Sequence, residues 1–65
     1  MIHIHEGVKY EEVDGIANVG DLVYSEECGF PRIYECYHTT DTKLILAKYS
    51  RGHVNLSYYK VLKEV

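Results

Sequence analysis

Val19-Gly20-Asp21-Leu22-Val23-Tyr24 decides the fold. A Gly-Asp pair, suited to a chain reversal, runs directly into Leu-Val-Tyr, residues that favour a pleated and half-buried strand. The stretch predicts a tight turn feeding one strand of a small β-barrel, with the other strands arranged around it. Toward the C-terminus, Ser25 to Pro31 holds two glutamates, Gly29 and the single proline, a loop composition. Arg32 to His38 follows as a strand, with Ile33, Glu35 and Tyr37 on one face and Tyr34, Cys36 and His38 on the other. Thr39-Thr40-Asp41-Thr42 is polar between two apolar runs and predicts a hairpin into Lys43–Tyr49. In that run Leu44 and Leu46 oppose Ile45 and Ala47. Ser50-Arg51-Gly52 is a second turn, a three-residue loop closed by a left-handed glycine. Val54 and Leu56 of the next strand point inward, Ser57-Tyr58-Tyr59-Lys60 makes one helical turn, and Val61-Leu62 is the last strand.

Toward the N-terminus, Asp14-Gly15 marks a turn. Val8 to Val13 alternates weakly and carries charges, as an edge strand does. Ile2-His3-Ile4-His5 alternates with period two and predicts a short strand, interrupted by Gly7. No window of eleven residues keeps a helical period. The fold class is therefore all-β: a small barrel of five or six short antiparallel strands, in one domain spanning residues 1–65, with one helical turn before the last strand.

Sixty-five residues with 46% apolar content suit one small globule. Such a chain buries only about 60% of the surface it exposes when unfolded. Seven tyrosines and no tryptophan supply rings that pack while keeping a hydroxyl wet. Two cysteines are too few for a disulfide framework. The first residues lack the basic and apolar regions of a signal peptide, and no run is long enough to span a membrane. These features lead to the expectation of a cytoplasmic protein. The net charge of -3 is unevenly placed. Residues 1–35 carry eight acids against Lys9 and Arg32, whereas residues 36–65 carry Asp41 and Glu64 against five bases.

The chain resembles a loose group of small proteins encoded by bacteriophages of Gram-positive bacteria. The resemblance rests on Tyr10-Glu11-Glu12-Val13, Val19-Gly20-Asp21 and Tyr59-Lys60-Val61-Leu62. Gly-Asp-Leu-Val, then hairpins, then a helical turn before a Val-Leu strand is also similar to the order of an SH3-like barrel. The resemblance covers most of the chain from residue 9 onward and leaves Ile2-His3-Ile4-His5 outside it. It implies a non-enzymatic binding module of the host-takeover type, one that inhibits or redirects a protein in the cytoplasm of a bacterial host. Some such modules are acidic and imitate DNA.

No catalytic signature is present. His3-x-His5 places two imidazoles on one strand face, but Cys28, Cys36, His38 and His53 are too scattered to complete a four-ligand zinc site, so no metal or other cofactor is expected. Cys36 lies mid-strand and suits a core position. Cys28 sits among glutamates, which disfavour a nucleophilic thiolate. Glu11-Glu12 and Glu26-Glu27 are adjacent, and strand neighbours point to opposite faces. Two surfaces remain. The favoured one is a protein-binding patch of Glu11, Glu12, Asp14, Asp21, Glu26 and Glu27, with Phe30 as its apolar anchor, steering the module onto a basic DNA- or RNA-handling protein. The alternative is a single-stranded nucleic-acid surface of Tyr49, Arg51, His53, Tyr58, Tyr59 and Lys60, which combines stacking rings with positive charge. A third expectation is a homodimer in which Ile2-His3-Ile4-His5 pairs across a two-fold axis.

Overall fold

The computed structural model describes residues 1–65. Seven strands form: β1 Ile2–His5, β2 Val8–Val13, β3 Leu22–Ser25, β4 Arg32–Thr39, β5 Ile45–Tyr49, β6 Gly52–Leu56 and β7 Lys60–Glu64. All pair antiparallel in one sheet of order β1-β2-β7-β3-β4-β5-β6. The all-β class holds, with seven strands rather than five or six. The sheet is open, with β1 and β6 as its edges. Val8–Val13 is not an edge strand, because β1 and β7 cover its two sides. No helix is present, so none is long and apolar enough to cross a membrane.

The Val19–Tyr24 stretch forms as its composition dictates. The Asp21 amide donates to the Asn18 carbonyl at 3.0 Å, with Val19 and Gly20 between them. Gly20 has φ 95°, which a side chain would strain. The turn is docked on β4 from both sides: Gly20 N–H donates to Cys36 O at 2.8 Å, and Cys36 N–H donates to Asp21 O at 2.9 Å.

The core is built from cross-strand rows on one face. Val13, Val61, Val23 and Tyr34 follow one another across β2, β7, β3 and β4. Cys36, Ala47 and Val54 continue in β4, β5 and β6, and Ile45 opposes Leu56. Val23, Cys36, Ile45, Ala47 and Leu56 are fully buried. Between Cys36 and His38 the register slips by one residue, because Tyr37 forms a bulge. The slip turns His38 away from the Cys36 face, so the simple alternation expected for Arg32–His38 fails after Cys36.

The link between β6 and β7 reveals how far the sheet rolls. Leu56 and Lys60 are separated by three residues, which reach at most about 15 Å. Four strand spacings on a flat sheet amount to about 19 Å. The stretch β7-β3-β4-β5-β6 must therefore curl until its ends draw together around the core. Ser57 and Tyr58 make this crossing as a bend and not as the helical turn expected from sequence. The tight Ser50-Arg51 turn also differs from expectation: Tyr49 pairs directly with Gly52, leaving a two-residue loop, and Gly52 opens β6 without a left-handed conformation.

At the other end the sheet curls the opposite way. The His3 and Tyr24 rings lie 4.4 Å apart although β2 and β7 separate their strands. Both side chains belong to the face opposite the main core. The β1-β2 hairpin thus folds over β7 and β3, and Leu62, on the far side of β7 from Val61, is buried with only 4% exposure. No buried side-chain nitrogen or oxygen lacks a hydrogen-bond partner.

Candidate protein-interaction surface

Of the six acids proposed as one patch, Glu12 and Glu26 line one small concavity with Tyr58 and Lys60, which bond Glu27 and Asp14, and four of the six are engaged within the molecule. Glu12 Oε2 meets His3 Nε2 at 2.6 Å, on the half-buried face under the β1-β2 hairpin. Asp14 pairs with Lys60, and this contact holds the Asp14 carboxyl below its usual range and pushes the Lys60 ammonium up. Asp21 closes its own turn by accepting the Asn18 amide at 2.9 Å, with Lys63 at 4.0 Å. Glu27 reaches across to the β6-β7 bend. Its Oε1 accepts the Ser57 amide at 2.8 Å and the Tyr58 amide at 2.9 Å. Those two N–H groups, Tyr58 first, hold the Glu27 carboxyl below its ordinary value. Ser25 supports the same junction, donating to Tyr58 O at 2.6 Å and accepting the Glu27 amide at 3.0 Å. Glu27 is thus a latch on the crossing. Only Glu11, on β2, and Glu26, in the β3-β4 loop, make neither an ion pair nor a side-chain hydrogen bond.

The basic and aromatic set does not share one face. Tyr59 is buried, its hydroxyl accepting the Ala17 amide at 3.2 Å and donating to Lys43 O at 2.7 Å. Lys60 is taken by Asp14. His53 packs edge-on against Tyr37, and Tyr58 is exposed at the crossing. Tyr49 lies half-buried, edge-on to Tyr34. Tyr49 and Tyr59 are therefore occupied by packing rather than displayed for stacking with bases.

The largest concavity lies elsewhere. A groove of about 770 Å³ runs between the β1-β2 hairpin tip at His5 and Glu6, the Phe30-Pro31 loop and the Tyr49-Ser50 turn. Leu22 and Ile33 give it an apolar floor, and Glu35 and Lys48 face each other across β4 and β5 beside them. Phe30, the expected anchor, stands at its rim and is 68% exposed. Arg32 is the residue that composition did not single out. Its guanidinium lies 4.5 Å from the centre of the Tyr49 ring and 5.7 Å from that of Phe30. It forms no ion pair with any carboxylate of the chain. Phe30-Pro31-Arg32 is a contiguous signal in the sequence; its partner Tyr49 arrives only through the β4-β5 pairing.

His3 and His5 share a strand face, but His3 Nε2 is spent on Glu12 and His5 lies 3.6 Å from Glu6. No three His, Cys, Asp or Glu side chains gather closely enough to hold a metal ion. Cys36 is buried, which pushes its thiol up, whereas Cys28 is exposed; the two are not bonded. No protein-family model matches the chain, and no curated protein or solved structure matches it.

Proposed function

We propose that the chain is a non-enzymatic protein-binding module that takes an extended segment of a partner protein into the groove between Phe30, Arg32 and the β1-β2 hairpin tip. One observation carries this: a half-buried guanidinium, positioned by two aromatic rings, lines the groove without a carboxylate of its own. A guanidinium offers paired donors in a fixed fork, which suits a carboxylate. Phe30 supplies the exposed apolar anchor beside it. The partner is then a protein presenting a carboxylate next to an apolar side chain. The rolled sheet supports an SH3-like arrangement, and the resemblance to phage-encoded modulators supports a bacterial host protein as the partner. Imitation of DNA draws less support, since it needs a continuous acidic face and four of the six acids are spent internally.

The test is capture from nuclease-treated bacterial lysate, compared across variants. A partner retained by the parent chain and by E11Q and E26Q, but lost with F30A and R32Q, supports the groove. Retention by F30A and R32Q with loss in E11Q or E26Q returns the contact to the acids. Capture that vanishes with nuclease treatment points to nucleic acid and overturns the reading.

A further inference from the structure

The β1-β2 hairpin fixes which backbone groups of β1 remain unused. Glu6 and Gly7 have φ 52° and 80° and join His5 directly to Val8, a two-residue loop of the I′ kind. In such a hairpin the residues closing the loop exchange both backbone hydrogen bonds, and every second pair does so after them. His5↔Val8 and His3↔Tyr10 are therefore bonded pairs, and the Glu12 amide reaching Met1 O at 3.2 Å continues the series. The N–H and C=O groups of Ile2 and Ile4 then point away from β2, out of the sheet edge.

The same two residues expose their side chains, Ile2 by 51% and Ile4 by 68%. Natural edge strands are blunted by lysine, proline, bulges or inward charges, and β1 carries no lysine, proline or bulge. The opposite edge differs: β6 exposes no large apolar side chain.

We propose that β1 pairs antiparallel with β1 of a second copy of this chain, about a two-fold axis at His3. This register places Ile2 opposite Ile4 of the partner copy and Ile4 opposite its Ile2. Both are pairs with outward backbone groups, so four backbone hydrogen bonds form. All four isoleucines fall on one face. Glu11 lies beside Ile2 and Lys9 beside Ile4, so each of the two isoleucine rows across the joined sheet carries one acid and one base, while the row between them sets His3 opposite the second copy's His3 on the other face. A shift of the register by one residue sets outward groups against inward-bonded ones. The occupant is a second copy because the edge complements itself in hydrogen bonding, apolar pattern and charge.

A four-residue strand covers well under the ~800 Å² per partner of a stable interface, so association is weak and belongs above the low-micromolar range. Sedimentation from ~10 µM to ~1 mM tests it across that range. The expected result is a mass rising from 7.5 kDa toward twice that value. A chain made by synthesis with the Ile4 amide N-methylated loses only an outward N–H. It should keep the parent's circular dichroism and dimerise at least about tenfold more weakly, because two symmetry-related bonds are lost. I4K should do the same through its charge. A monomer throughout the range overturns the proposal, and so does a dimer that N-methylation leaves unchanged.

Discussion

Replacing Tyr59 by Phe removes one oxygen and retains the ring. That oxygen joins three segments: the β6-β7 crossing that carries it, the loop containing Ala17, and the segment before β5 at Lys43. Lys43 is exposed, so its carbonyl can exchange the lost donor for water. Ala17 is fully buried, and its amide has no other partner. Orphaning a buried N–H costs about 1–3 kcal/mol, and about 2 is expected here. The Lys43 ammonium sits 4.9 Å from the Tyr59 ring centre, a contact that Phe preserves. A domain of this size is stable by only about 3–10 kcal/mol, so the loss is a large share. It corresponds to a fall of roughly 8–16 °C in Tm. Urea unfolding followed by circular dichroism should show a lower midpoint with an unchanged slope. Hydrogen exchange at the Ala17 amide should accelerate more than at Val23. A Y59F chain within about 0.3 kcal/mol of the parent would refute the view that this hydroxyl anchors the loops.

Glu27 makes stability acid-sensitive. Its folded pKa is depressed from 4.5, so its contribution is complete above that value and fades as pH falls through the lower folded one. E27Q should lower the urea midpoint at pH 7 and flatten the acid limb below about 4.5, while parallel limbs in the two proteins would exclude the latch. Glu6 holds a left-handed conformation that Asn adopts more readily, so E6N should raise stability by about 0.5 kcal/mol in the same unfolding assay. Of the two thiols, Cys28 should react promptly with a disulfide reagent, and Cys36 only at the rate of opening, since it is fully buried and its thiol is pushed up. Equal rates under native conditions would show the core to be open around β4.

Much of the fold was legible because short-range chemistry specifies it. Gly20-Asp21 turns where its composition requires, and Ile45, Ala47 and Leu56 enter the core as alternation predicts. The departures have local causes that alternation does not encode. Tyr37 inserts a bulge without glycine or proline to mark it. Glu6-Gly7 is a hairpin turn without the usual asparagine or aspartate. Ser57-Tyr58 bends where helix was expected, because Glu27, thirty residues earlier, supplies the acceptor for both amides. The interaction surface was less legible for a related reason. Acids that read as one free charged patch are largely taken up by partners from distant strands: His3 for Glu12, Lys60 for Asp14. Phe30 stood out as an exposed ring in a loop, whereas Arg32 gains meaning only when β5 lays Tyr49 beside it.

β7 lies between β2 and β3, although it is last in chain order. Until residues 60–64 emerge from the ribosome, Val13 and Val23 have no Val61 to share, and both flanking strands present bare backbone. The meander β3-β4-β5-β6 can assemble from near neighbours during synthesis, but the β1-β2 hairpin must wait and then join it through a single late strand. Closing those long-range pairs slows folding relative to the local hairpins. Substitutions in β7 should accordingly affect yield in the cell more than their burial suggests, because they prolong the interval in which two edges stay unpaired and open to aggregation.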